Sequence, residues 1–187
     1  DYAELGRRYL AQTQWRAHGK TFFIDKQPPN WVLAAAIHSA LPHAPILNLV
    51  RDPMDTCFSN WRAYFGDACA YSYDLDALAA HFNDYRRVIA HWHRIMPGAI
   101  LDVPYAELVG EPEATLRQVF DFCGLAWEPG CADPARNSAP SATLSAAQVS
   151  SPLRRDTVGQ WRRYARQLTP LATALSAPGL ELATDPV

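Results

Sequence analysis

Ile46-Leu47-Asn48-Leu49-Val50-Arg51-Asp52-Pro53-Met54-Asp55 is the stretch on which the reading of this chain turns. Its first half is an apolar run of strand length. Its second half carries three agreeing helix-start signals: Asp52 as N-cap, Pro53 at N1 and Asp55 at N3. A strand running straight into a helix is part of an α/β repeat, so the flanks should hold the rest of it. Upstream, Thr21-Phe22-Phe23-Ile24-Asp25 is short and β-rich, with turn-like Lys26-Gln27-Pro28-Pro29 behind it, and reads as a buried strand. Asn30 then caps a helix through Trp31-Val32-Leu33-Ala34-Ala35-Ala36-Ile37 to about Ala40, which Pro42 stops. Strand, helix and strand within about 30 residues form a βαβ unit, whose strands should be parallel with a right-handed crossover.

Downstream, Phe58, Trp61, Arg62 and Phe65 continue the helix opened at Asp52 until Gly66. A polar connector from Asp67 to Tyr73 leads to the longest helix, about Leu75 to Ile95. There Leu75, Leu78, Phe82, Tyr85, Ile89 and Trp92 fall on one stripe. Pro97-Gly98 ends it, and Ala99-Ile100-Leu101-Asp102-Val103 reads as a third strand. A helix from Glu111 to Cys123 stops at Gly124, and Asp1 to His18 makes a first helix that Gly19-Lys20 ends. A last helix is expected from about Thr157 to Leu175, carrying Trp161, Tyr164 and Leu168. Residues 137–151 are small, polar and uncharged, which is the composition of a mobile loop. The expected fold is therefore α/β: one domain over residues 1–175, a mostly parallel sheet flanked by helices, then a C-terminal tail over 176–187.

Composition narrows the function. The chain has 187 residues, of which 49% are hydrophobic and 19% charged, so it is globular rather than disordered. A net charge of −2 argues against a general nucleic-acid binder. No apolar run approaches the ~20 residues of a membrane span. Asp1 to Lys20 is charged throughout and does not read as a signal peptide. The four cysteines form no CxxC pair, so free thiols in a reducing cytoplasm are expected, with no zinc site. Of the 17 basic residues only Lys20 and Lys26 are lysines, so Lys26 stands in a chain that elsewhere prefers arginine.

Ligands of open parallel sheets bind beyond the carboxyl ends of the strands. Lys26 follows the first expected strand, Arg51 the second and, past Pro104, Tyr105 the third. If the strands are parallel, an ammonium, a guanidinium and a phenol converge on one crevice. Arg51 also stands at a helix start, where free backbone N–H groups and the positive dipole end favour an anion, and Ser59 lies two turns along that helix. Together they describe a pocket for a phosphorylated ligand. Taken singly, Lys26 could pair with Asp25, Arg51 could be held by Asp52 or Asp55, and Tyr105 could belong to the core.

Several motifs in order resemble those of sulfotransferases. They are Ile24-Asp25-Lys26-Gln27-Pro28, then Leu49-Val50-Arg51-Asp52-Pro53-Met54-Asp55 with Ser59, then Val103-Pro104-Tyr105-Ala106-Glu107-Leu108-Val109. Phe122-Cys123-Gly124-Leu125, Ser145-Ala146-Ala147-Gln148-Val149 and Gly159-Gln160-Trp161 complete the series. The resemblance spans roughly Thr21 to Leu171 and is nearest to bacterial sulfotransferases fused to tetratricopeptide repeats, which are similar to tyrosylprotein sulfotransferases. It implies a P-loop-NTPase-like fold and a donor, 3′-phosphoadenosine 5′-phosphosulfate, that leaves as adenosine 3′,5′-bisphosphate. It further implies that Lys26 meets the scissile bridge oxygen, that Arg51 and Ser59 grip the 3′-phosphate, and that Tyr105 and Ser145 contact the nucleotide. A hydroxyl-bearing acceptor would take the sulfuryl group, and no metal is implied. The family's phosphosulfate loop and acidic general base would lie upstream, so the sheet is expected to be incomplete at its N-terminal side. Gln160 and Ala63 stand where near relatives carry basic residues.

Two other readings share the sheet: a P-loop-superfamily kinase, and a non-catalytic nucleotide-binding or interaction fragment. His91-Trp92-His93 is no metal motif, because i and i+2 point to different sides of a helix. The cluster Arg154, Arg155, Arg162, Arg163 and Arg166 reads first as a solvated face and second as a rim for an acidic ligand.

Overall fold

The computed structural model describes residues 1–133 and 157–176. Its helices are α1 (Tyr2–Thr13), α2 (Asn30–Ala40), α3 (Pro53–Arg62), α4 (Leu75–Ile95), α5 (Tyr105–Gly110), α6 (Pro112–Phe122) and α7 (Thr169–Leu175). Strands β1 (Ile46–Val50) and β2 (Ile100–Pro104) pair in a small parallel sheet. Among the described residues, 3₁₀ segments at Gln14–Ala17, Gly66–Tyr73 and Gln160–Tyr164 fill connections. The chain divides into two compact units: residues 1–46 with 84–100, and residues 47–83 with 101–187. Among the described residues no helix is long and apolar enough to cross a membrane.

In the first unit, the Asp1 side chain caps α1 by accepting from the amides of Ala3 and Glu4. The helix turns Gly6, Tyr9 and Thr13 inward, while Tyr2, Leu5 and Leu10 stay exposed. Gly6 is needed because α1 and α2 meet there. A Cβ on Gly6 would stand 2.0 Å from the Ala40 carbonyl oxygen. On the other side of α2, the Trp31 ring meets Tyr85 edge-on at 5.8 Å, and Trp92 Nε1 donates to the Trp31 carbonyl at 2.7 Å. The Tyr9 hydroxyl donates to Asp25, which ties the stretch before Lys26 to α1.

Thr21–Asp25 is not a strand, contrary to the expectation from its composition. The stretch has no regular secondary structure and joins no ladder, and Phe22 and Ile24 are 64% and 92% exposed. Composition can favour an extended backbone; a strand also requires a neighbour to satisfy its N–H and C=O groups. The partner of β1 is instead β2, and the crossover between them runs through α3 and α4.

In the second unit, α3 buries Met54, Asp55, Cys57 and Phe58. Leu78, Ala79 and Phe82 of α4, Val103 of β2 and Val109 of α5 are also buried, as are Leu168, Leu171 and Leu175. Asn83 Nδ2 donates to the Ala174 carbonyl at 3.0 Å, binding α4 to α7. The single long C-terminal helix expected over Thr157–Leu175 does not form. Gly159 takes a left-handed φ of 75°, and Pro170 lacks the N–H that an uninterrupted helix would use there. The result is a 3₁₀ turn, Gln160–Tyr164, and a separate α7 with Pro170 in its first turn. The short α5, unforeseen, begins at Tyr105 directly where β2 ends. The expected loop over 137–151, Ser145, Arg154, Arg155 and the tail beyond Ser176 lie outside the described residues.

The α1–α2 contact yields a direct test. Gly6→Ala should lower the unfolding free energy by about 1–3 kcal/mol, the usual cost of overpacking, in a urea titration followed by circular dichroism. An unchanged midpoint would mean that the helices do not meet through this glycine.

Candidate functional site

Two parallel strands finish on the same side, so the residues that follow them become neighbours. β1 delivers Arg51 and β2 delivers Tyr105, and the Arg51 guanidinium lies over the Tyr105 ring, 5.2 Å from its centroid. Around them is a cavity of about 240 Å³ lined by residues of both strand ends, the α3 start and Val158. That volume is below the usual range for a drug-sized ligand and suits one end of a larger molecule, such as a phosphate and its sugar.

The local sequence explains the scaffold. Asp52 Oδ1 accepts from the Asp55 amide at 2.9 Å and Pro53 occupies the first turn, so α3 starts where its sequence signals place the start. Asp55, 2% exposed, projects from that first turn, and its Oδ2 accepts from the Gly159 amide at 2.7 Å. The Thr157 carbonyl receives Arg51 Nη2 at 2.5 Å, and the Thr157 hydroxyl lies 3.2 Å from the Tyr105 hydroxyl. Arg62 Nη1 donates to Gln160 Oε1 at 3.1 Å, and the Phe58 and Tyr164 rings pack at 5.2 Å. The segment from Thr157 to Tyr164 is thus fastened to α3 and to the start of α5.

Arg51 is therefore held by a backbone carbonyl and an aromatic face, rather than by Asp52 or Asp55. Its Nε is buried without a hydrogen-bond partner, as is Asp55 Oδ1. A buried donor of that kind costs about 1–3 kcal/mol unless something accepts from it. Arg51 stands beside the positive end of α3, a setting that favours an anion, although the exposed wall of the cavity is mostly apolar. Asp52 and Asp55 also line the cavity, each with one oxygen already committed to a backbone N–H.

Of the residues singled out in the sequence, Arg51 and Tyr105 are together here. Ser59 is on α3, exposed, and does not line the cavity. Lys26 belongs to the other compact unit, exposed, next to the Asp25 that Tyr9 holds. Gln160 is engaged by Arg62, the arginine beside Ala63. Sequence reasoning missed Thr157 and the inward role of Asp55. The available signals were a glycine, Gly159, interrupting a helical pattern, and an acid set among Met54, Cys57 and Phe58. A larger cavity of about 700 Å³ opens beside α6, but its arginine, Arg117, is already paired with Glu113 at 2.7 Å and spread over the Trp127 ring at 4.3 Å. It does not adjoin the strand ends, and the smaller cavity is the better candidate.

Behind the site, burial, helped by the Asp52 charge, pushes the Cys57 thiol up to about 12 from an ordinary 9.0. Burial first and Cys69 second raise Tyr71 to about 12 as well. A folded-state pKa above the unfolded one makes the neutral group's contribution complete below the unfolded value and lost as pH climbs towards the folded value. Thermal midpoints should therefore decline from about pH 9 upward, and Cys57→Ala should make that decline shallower, with Tyr71 sustaining the remainder. A slope unaltered by the substitution would count against a neutral, buried thiol.

Comparison with known proteins identifies the family and the fold. The sequence profile described as the sulfotransferase family matches residues 1–129. An uncharacterized protein of Aquifex aeolicus (strain VF5) is 32% identical over 166 residues, covering 87% of this chain and 22% of that protein. The chain thus spans about a fifth of that relative's length. A solved sulfotransferase domain from the curacin biosynthetic pathway superposes with a TM-score of 0.61 at 16% identity, over 88% of this chain and 68% of that domain. That likeness is one of fold.

Proposed function

Because the chain belongs to the sulfotransferase family, we propose that its cavity at the strand ends holds the 3′-phosphate end of 3′-phosphoadenosine 5′-phosphosulfate. The observation that carries this reading is Arg51 at the end of β1, its guanidinium laid over the Tyr105 ring and bound to the Thr157 carbonyl beside a cavity sized for a phosphate and its sugar. When bound, the donor supplies a sulfuryl group to an acceptor hydroxyl on a peptide, glycan or small molecule.

The chain's own residues divide the work. Arg51 directs a guanidinium N–H at a phosphate oxygen while Nη2 stays on the Thr157 carbonyl, so the side chain is oriented before ligand arrives. Tyr105 backs the guanidinium with its ring, and Ser59, which stands outside the cavity wall, is assigned to the 3′-phosphate on the family resemblance alone. Lys26, a compact cation with rotatable donors, is assigned to the charge that develops on the departing 5′-phosphate. Ser145 is assigned to the nucleotide's phosphate. Catalysis then consists chiefly of positioning and charge stabilisation, as in phosphoryl transfer. The phosphosulfate loop and general base are expected from an upstream segment of the same enzyme. The setting we propose is a bacterial cytoplasm, where Cys57, Cys69, Cys123 and Cys131, free here, remain reduced.

Calorimetry with adenosine 3′,5′-bisphosphate tests the reading. The bisphosphate should bind, and Arg51→Ala should weaken it about 10- to 100-fold, the value of a hydrogen bond to a charged group. Equal affinity for ATP would favour a kinase-like site and count against this one. In the full-length enzyme, Lys26→Ala should remove turnover while leaving bisphosphate affinity within about threefold, since a transition-state interaction affects kcat rather than ground-state binding. Loss of binding and turnover together would reassign Lys26 to the ground state.

A further inference from the structure

We propose that Asp55 is a positioning residue: its buried carboxylate clamps the segment beginning at Thr157, and through the Thr157 carbonyl sets the guanidinium of Arg51. The inference rests on the reading of Arg51 as the phosphate ligand, and adds a residue to which neither the motifs nor the family match gives a role. Asp55 is 2% exposed, an unusual position for a carboxyl group with no cation bound to it. Its Oδ2 is spent on the Gly159 amide at 2.7 Å, a bond spanning 104 positions of the chain. Gly159 can present that amide because it adopts φ 75°, a conformation open to glycine and strained for other residues. Its carbonyl in turn accepts from the Arg162 amide at 3.1 Å, opening the 3₁₀ turn.

Two residues before Gly159, the Thr157 carbonyl is the acceptor for Arg51 Nη2. Asp55 and Arg51 are four apart, on the strand end and the first turn of α3, and both reach the same short segment. The contacts therefore form a closed circuit: Arg51 to Thr157, Thr157 along the backbone to Gly159, Gly159 to Asp55, and Asp55 back along the chain to Arg51. Opening it at Asp55 removes the anchor two residues beyond the Thr157 carbonyl and leaves the segment tied through Tyr105, Arg62 and Phe58. Arg51 would then be bound to a less firmly held carbonyl. An arginine that is fixed beforehand loses less conformational freedom on binding, so releasing it weakens affinity without removing any group that touches ligand.

The test pairs amide hydrogen exchange of residues 157–164 with calorimetry using adenosine 3′,5′-bisphosphate. Asp55→Ala should speed exchange at Gly159 about tenfold or more and weaken bisphosphate binding about tenfold, the equivalent of one charge-assisted bond. Asp55→Asn keeps an acceptor oxygen in place and should restore both quantities to within about threefold of the parent. A generic packing defect would not be rescued by the amide. If Asp55→Ala does not fold, Asp55→Ser, which keeps a polar group in the first turn but is too short to reach the Gly159 amide, should show the same two changes. Unchanged exchange in the alanine or serine variant overturns the clamp. A parent protein with a protected segment but no affinity for the bisphosphate overturns the ligand assignment instead, so the two failures are told apart.

Discussion

The parallel pairing of β1 and β2 is the constraint from which the site follows. An antiparallel pair would send Arg51 and Tyr105 to opposite ends of the sheet. A parallel pair forces both to the same end and needs a long crossover, here α3 and α4, to bring the chain back. The helix that leaves β1 thereby begins beside the cavity, with its positive end and its Asp52 cap at the rim. The aromatic face under Arg51 and the N-terminus beside it are both consequences of strand direction.

How far the sequence revealed this depended on whether the information was local. The β1–α3 junction was legible because a strand run, an N-cap, a proline and an acid agree within ten residues, and each acts on its nearest neighbours. The stripe along α4 was legible for the same reason: its period is a local property. Thr21–Asp25 was misread because strand pairing is not local; the same β-rich run is a strand with a neighbour and an exposed irregular segment without one. The C-terminal segment departs from the expected single helix because Gly159 and Pro170 break the hydrogen-bond ladder whatever the spacing of Trp161, Tyr164 and Leu168 favours. At the site, Arg51 and Tyr105 were found from the strand ends. Thr157 was not, since a backbone carbonyl has no signature in the sequence.

The electrostatics of the cavity look contradictory at first, because an anion site should not contain two carboxylates. Their geometry resolves most of the conflict. Asp52 is exposed, so water screens it, and one of its oxygens caps α3. Asp55 is buried, but its Oδ2 faces the Gly159 amide rather than Arg51. The two acids organise backbone, and neither is ion-paired with the arginine. Had either taken the guanidinium, the site would have satisfied itself. A carbonyl partner holds Arg51 in place yet leaves its full positive charge to be neutralised.

That arrangement also explains why the two cations singled out are of different kinds. Arg51 divides its guanidinium: Nη2 is bound to a carbonyl, its face lies over Tyr105, and Nε is buried without a partner. A planar fork of five donors can be divided in this way; an ammonium, one point of charge on a flexible stem, cannot. Lys26 sits exposed after an irregular stretch held through Asp25, with nothing to divide its donors among. A small cation able to rotate suits a charge that appears at one oxygen during reaction, whereas a fixed fork suits a charge that is present throughout. The role proposed for Lys26 is consistent with that difference between an ammonium and a guanidinium.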